Sequence, residues 1–273
     1  MPDHLLAKSA AENFPVALRL LPAARRRSLM AVYWFARVTD DIGDTGPAAD
    51  RPRRLDELES DLGRLTEGGA RRPEVMALSP LVTSGRVPVT LFADLIRANR
   101  QDQVVSRYQT FDDLMGYCEL SANPVGRIVL RVFAAESAAA DRLSDRVCTA
   151  LQLIEHWQDA AEDYRSGRIY LPADDLRRFG CTEADLAAER ASPALRELLG
   201  FESRRAGDLL DSGAPLVGAL RGYARAAVAG YVAGGRAALA ALADASYDVL
   251  GGPPRGRRGR LVREMLLAMI RGR

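Results

Sequence analysis

The sequence predicts an all-α fold, a single domain of about ten helices around a central cavity. Three observations predict it. Apolar residues recur at helical spacing along most of the chain. No alternating run bounded by turn residues, the mark of a strand, survives inspection. And 48% of the 273 residues are hydrophobic, enough for one large core at the upper size of a domain.

The elements follow in order. Ser28 to Val38 is an apolar run of helical length. Leucines at 55, 58, 62 and 65 form an amphipathic stripe, and Thr66 to Pro73 is a Gly/Arg/Pro loop. Pro88 to Asn99 reads as a helix with proline in its first turn. Thr110 and Asp113 make a capping box that opens a helix through Tyr117 and Ser121. Asn123-Pro124 bends or breaks that helix, and Val125 to Ala135 resumes it. Leu143 to Tyr164 reads as one long helix, and Arg165 to Pro172 as a polar turn followed by a short exposed stretch. Thr182 with Asp185 caps the next helix and Ser192-Pro193 starts another. Gly200 to Ser212 and Leu216 to Ala243 follow, Gly251 to Pro254 ends the bundle, and Arg260 to Ile270 forms a last helix.

Two acidic stripes carry the chemistry. Residues three and four apart share a helical face. Tyr33, Arg37, Asp40 and Asp44, with Asp41 beside them, therefore make one stripe; Gln152, Glu155, Asp159 and Asp163 make another. Each lies on a helix whose other residues are mostly apolar: Leu-Met-Ala-Val-Tyr-Trp-Phe-Ala at 29–36, and Leu151, Leu153, Ile154 and Trp157. Carboxylates in such a setting are costly unless a positive group opposes them. The bland alternatives are a solvated helix end for the first stripe and a salt-bridge network with Arg165 or Arg168 for the second. Two such stripes facing each other suit hard divalent cations, which share their shells among carboxylates, waters and phosphates. An apolar, water-poor cavity would then accommodate a carbocation after the diphosphate leaves.

Composition excludes several classes. Net charge is +2, so no bulk attraction to nucleic acid exists. Lys8 is the only lysine among 38 basic residues, which reads as compositional bias. Cys118, Cys148 and Cys181 are widely spaced, as expected of reduced thiols in a cytoplasmic protein. The first residues lack a signal-peptide pattern. No apolar run reaches bilayer length uninterrupted; Ala224 to Ala243 comes closest, with Arg225 and Arg236 inside it.

FARVTDDIGD at 35–44, YCELSANPVG at 117–126 and LQLIEHWQDAAEDYRSGRIYLP at 151–172 resemble, in order, the squalene/phytoene synthase family. The likeness runs from about Glu12 to Ala243. Within the family, ENFPVA, SANPVGR and HWQD are most similar to the bacterial hydroxysqualene synthases. The resemblance implies an isoprenoid synthase (terpenoid synthase) helical bundle over 1–273, with 251–273 as a peripheral tail or helix. It implies conversion of presqualene diphosphate to hydroxysqualene with two or three Mg²⁺ ions. A sister synthase would supply the substrate, and a flavin-dependent oxidoreductase would reduce the product.

By that resemblance Asp40 and Asp44 bind Mg²⁺ from the first helix, with Asp41 in support; Asp159 and Asp163, with Glu155, bind it from the second. Arg37 and Arg168 grip diphosphate oxygens. Gln152 and Tyr33 line the site near the metals, and Tyr170 sits on a flap that covers the diphosphate. Tyr117, Ser121 and Asn123 border the reacting carbons, and Asn13 and Phe14 fall in the N-terminal substrate-contact segment. Asn123 fits either the steering of a water or simple helix bending. Two positions depart from the family pattern: Glu155 stands where many members have Asn, and Gln158 where many have Arg, which removes one diphosphate contact. They motivate a second reading, in which the chain condenses two farnesyl diphosphates head-to-head or prenylates a small aromatic acceptor. A non-catalytic assembly factor is a third, disfavoured because both carboxylate sets are retained. His156 reads as a packing or supporting residue rather than an acid–base group. The basic C-terminal stretch with LVREMLLAMI either closes the bundle or touches the inner face of an anionic membrane.

Overall fold

The structure is a computed structural model, and it describes residues 21–254, 263–265 and 267–268. Asn13, Phe14 and most of the expected last helix lie outside the described residues. The all-α expectation holds: helices and 3-10 turns build the described chain, and the one β-type pairing among the described residues is an isolated parallel bridge between Arg107 and Ile169.

The helices, in chain order, are α1 (Ala23–Asp44), α2 (Arg51–Gly63), α3 (Thr90–Gln101), α4 (Phe111–Ser121), α5 (Asn123–Val132), α6 (Ala138–Gln158), α7 (Ala160–Arg165), α8 (Ala173–Arg178), α9 (Pro193–Gly213), α10 (Leu216–Ala219) and α11 (Gly222–Asp244). Two four-residue turns of helix, Pro73–Met76 and Ser79–Val82, sit between α2 and α3. The chain forms two compact units. One comprises residues 1–104 and 120–141; the other comprises 105–119 and 142–273.

In the first unit, α1 packs on α2, α3 and α5, and α3 also packs on α2 and α5. The leucine stripe of α2 does what its spacing requires: Leu55, Leu58 and Leu62 are buried. Phe35 of α1 meets Phe92 of α3 edge-to-face, ring centroids 5.4 Å apart, and both are fully buried. Alpha-1 is one-sided rather than buried all round. Leu29, Val32, Phe35, Thr39, Ile42 and Gly43 face the core, while Tyr33, Trp34 and Arg37 are only half-buried. Its acidic end is part of the helix and not an appendage to it.

In the second unit, α9 packs on α11, α10 on α11 and α8 on α9. Both capping expectations at its helix starts hold. The Thr110 N–H donates to Asp113 Oδ2 at 2.9 Å and the Asp113 N–H donates to Thr110 Oγ1 at 3.1 Å. Ser192 Oγ accepts from the Leu195 N–H ahead of Pro193. Thr182 and Asp185 also form their capping box, but the element they open is a 3-10 helix, Glu183–Ala187.

Four expectations differ. The helix started at Ser192-Pro193 and the stretch Gly200 to Ser212 are one continuous helix, α9. The helix of the second acidic stripe starts earlier, at Ala138, and is interrupted at Asp159, whose backbone (φ −99, ψ 10) separates α6 from α7. The stretch 216–243 is divided by an extended Leu220-Arg221 into α10 and α11. Pro88 precedes its helix rather than occupying the first turn, because α3 starts at Thr90. The bend at Asn123-Pro124 is where it was expected, Ala122 breaking the run and proline entering α5 in its first turn, where its missing N–H costs no hydrogen bond. Alpha-11 is long and apolar enough to cross a membrane, with mean hydropathy 1.4 over its best window, so the two arginines do not disqualify it by composition. Half of that window is buried inside the protein, and Val228, Val232, Ala233 and Leu242 sit in the core, as in a central helix of a globular unit.

Candidate active site

The first stripe lies on the last two turns of α1. Asp40 accepts a hydrogen bond from the Asn99 side-chain amide of α3 at 3.1 Å. That contact depends on Gly43: a Cβ there would fall 2.3 Å from Asn99 Oδ1. The amide of Gln103 closes the arrangement by donating to the Gly43 carbonyl at 3.1 Å. Asp40 keeps exposed surface, yet protein crowds around it. That desolvation, with the charges of Asp44 and Asp102, outweighs Asn99 and Arg37 and pushes its pKa up to about 7. Arg37 pairs with Asp41 at 3.4 Å, and its buried Nε makes no hydrogen bond. Tyr33 is half-buried one turn before Arg37, and Asp44 is exposed at the helix end.

The second stripe straddles the interruption between α6 and α7. Asp159 is half-buried at the break. Burial, then the charges of Glu155, Asp163 and Glu162, raise its pKa to about 6. Glu155 is exposed and contributes the first of those repulsions. Gln152, one turn before His156, has its Nε2 3.2 Å from His156 Nε2. Arg168 is half-buried, and its backbone N–H donates to the Asp163 carbonyl at 2.8 Å.

The expected flap is a stitched segment. Ile169 N–H donates to Ser106 O at 2.9 Å, Ala173 N–H to Tyr108 O at 2.9 Å and Asp174 N–H to Gln109 O at 3.0 Å. Arg107 reinforces it, donating to the Gly167 carbonyl at 2.8 Å while holding Glu183 with two hydrogen bonds. Tyr170 is buried, stacked on His156 with centroids 3.6 Å apart, and surrounded by Tyr108 and Tyr117. At the bent helix, Tyr117 and Asn123 are buried and the Ser121 hydroxyl is buried without a hydrogen-bond partner. Tyr117 belongs to the second unit, Ser121 and Asn123 to the first.

The donor set is all carboxylate oxygen, which suits a hard divalent cation. Within neither unit do three acidic, histidine or cysteine side chains converge into a complete cage among the described residues. Desolvation is the largest cause of the raised pKa at both Asp40 and Asp159, and neighbouring carboxylates add to it.

The family model of squalene/phytoene synthase matches residues 7–265. The chain belongs to the squalene/phytoene synthase family. It is 40% identical over 202 residues to a hydroxysqualene synthase of Zymomonas mobilis, covering 73% of this chain and 67% of that protein. It is 36% identical over 213 residues to a hydroxysqualene synthase of Rhodopseudomonas palustris, covering 78% and 72%. Among solved structures it resembles the squalene synthase HpnC of Alicyclobacillus acidocaldarius, with a TM-score of 0.81 and 37% identity over 90% of this chain and 97% of that one. The chain is therefore an enzyme, an isoprenoid synthase.

This squalene/phytoene synthase also carries site-supporting residues that its sequence did not single out. Asn99 and Asp102 act on Asp40 from α3 and its end. The signal for Asn99 was a polar residue on the buried face of an apolar helix, beside Ala98 and Ile96. Arg107 left no local signal, because its partners are about sixty and seventy-six residues away. Gln158, read as a lost diphosphate contact, has a partner elsewhere: its amide donates to the Pro254 carbonyl at 2.6 Å, and Arg165 reaches Leu250 O at 3.4 Å. Together they tie the segment after α11 to the second acidic stripe.

Proposed function

We propose that this synthase ionises presqualene diphosphate in the presence of Mg²⁺ and gives hydroxysqualene. The observation that carries the reading is the pair of hydroxysqualene synthases 40% and 36% identical to it, each matched over more than 70% of this chain. Asp40, Asp44, Asp159 and Asp163 are the metal-binding carboxylates, with Asp41 and Glu155 in support. Bound Mg²⁺ supplies the charge that holds the diphosphate and stabilises it as a leaving group. Arg37 and Arg168 bind its oxygens as planar, multi-donor cations. Asn13, Phe14, Tyr33, Tyr117, Ser121 and Gln152 contact the substrate, and Tyr170 covers the diphosphate. The carbon–oxygen bond to diphosphate breaks with its electron pair leaving on oxygen. After rearrangement of the carbocation a water oxygen forms the new bond and loses a proton. Asn123, an amide able to orient that water, lies by the reacting carbons.

In this reading residues 1–273 work as one synthase domain in the cytoplasm. The segment 251–273 provides peripheral contact with the membrane from which the lipid substrate comes. A sister synthase provides presqualene diphosphate and a flavin-dependent oxidoreductase consumes the alcohol. Separate incubations with presqualene diphosphate and with farnesyl diphosphate, each with Mg²⁺ and read by mass spectrometry, test the assignment. Hydroxysqualene from the first and no coupled product from the second is the expected result. Presqualene diphosphate or squalene from farnesyl diphosphate alone would replace it with the head-to-head condensation. Asp40→Asn and Asp159→Asn should each lower the rate by about a hundredfold or more.

A further inference from the structure

We propose that His156 is a positioning residue that couples the Tyr170 segment to the second acidic stripe, through its ring face to Tyr170 and its ring edge to Asp163. The inference rests on the reading of Asp163 as a metal-binding carboxylate and of Tyr170 as the residue over the diphosphate.

Three sides of the imidazole are engaged. Its face lies on Tyr170, centroids 3.6 Å apart and planes within 14°. Its Nε2 is 3.2 Å from Gln152 Nε2. Its Nδ1 is 3.8 Å from Asp163 Oδ2. With the Gln152 amide donating to Nε2, the ring proton resides on Nδ1, the atom that faces the carboxylate. The side chain is 7% exposed. A residue that only filled space here would avoid two buried ring nitrogens. Both nitrogens are instead directed at residues of the stripe.

The break at Asp159 explains why such a coupling is useful. His156 stands on α6 before the break and Asp163 on α7 after it. Alpha-7 has only six residues, so its own helical bonds orient Asp163 weakly. The Tyr170 segment is fixed at its backbone by Ser106 and Tyr108, and its ring by a stack of Tyr108 and His156. His156 therefore touches both segments at once.

Three variants separate the two couplings. His156→Phe keeps a ring on Tyr170 and removes both nitrogens. His156→Asn keeps a donor near the Nδ1 position and removes the stack. His156→Ala removes both. Two readouts are used: calorimetric binding of inorganic diphosphate with Mg²⁺, and backbone hydrogen exchange of residues 166–173 in the metal-free protein. His156→Phe should weaken Mg²⁺–diphosphate binding about tenfold and leave the exchange unchanged. His156→Asn should bind as the wild type does, with exchange about fivefold faster. His156→Ala should show both changes. Three variants that alter both readouts by one common factor, or an alanine variant that alters neither, would overturn the proposal. Wild-type protein that binds no Mg²⁺–diphosphate would sink the site reading and the Asp163 half of the proposal with it. The exchange arm would still decide the Tyr170 half.

Discussion

Asp40 shows how neighbours shape a single carboxylate. Its partner Asn99 reaches it only because Gly43 leaves room: the contact at 2.3 Å to a would-be Cβ makes any larger residue displace the amide. Asn99→Leu preserves volume and removes the bond. The Mg²⁺ concentration for half-maximal rate should then rise about tenfold with little change in melting temperature. Gly43→Ala should reproduce that loss by pushing Asn99 aside, and should also cost about 1–3 kcal/mol in urea unfolding, as overpacking does. An unchanged Mg²⁺ requirement in both variants would remove Asn99 from the site. At this scale the carboxylates were legible because helical spacing and motif order expose them. Asn99 was not, since its importance lies in a partner fifty-nine residues away.

Among the elements, those with local chemical signals were legible. The capping boxes of Thr110 and Thr182, the Ser192-Pro193 start and the bend at Asn123-Pro124 all stand where the side chains dictate. The break at Asp159 and the gap at Leu220-Arg221 were not legible. Asp159 has no proline or glycine beside it; Gly222, with φ +55, does border the second gap, but the apolar pattern runs through both. The stitched segment was equally hidden, because it is a long-range pairing of 106–109 with 169–174. Arg107→Ala should free that segment. Its ion pair with Glu183 is largely exposed, at 39% and 54%, so the change should cost under about 1 kcal/mol in global stability. The exchange of residues 167–170 should nevertheless accelerate. In the core the reverse holds: Phe35→Ala, removing a fully buried ring packed on Phe92, should cost roughly 3–5 kcal/mol in urea unfolding.

At the scale of the whole molecule, three desolvated acids shape the response to pH. Burial raises Glu202 of α9 to about 8; Arg205 opposes this, and the neighbouring Asp175 adds to it. Asp40 at about 7 and Asp159 at about 6 are raised in the same sense. Each binds its proton more tightly in the folded than in the unfolded chain. Between the ordinary carboxylate pKa of about 4 and these raised values the folded state holds more protons, so stability falls as pH rises through that window. The melting temperature of metal-free protein should therefore decline between about pH 5 and pH 8. Glu202→Gln should flatten the upper part of that decline. Mg²⁺ with diphosphate should lessen it by favouring ionised Asp40 and Asp159. A melting temperature that climbs with pH without metal would contradict the raised values.

The family and the all-α class were legible from three ordered motifs and from helical periodicity, both properties of the linear chain. Contacts such as that of Gln158 with Pro254 join positions ninety-six residues apart, and only the folded chain supplies them. The reaction itself is best tested by incubating the protein with presqualene diphosphate and Mg²⁺ in water enriched in heavy oxygen, then weighing the products. Release of diphosphate with hydroxysqualene carrying the solvent oxygen is the expected result. A hydrocarbon, an alcohol without the heavy oxygen, or no product would contradict the account.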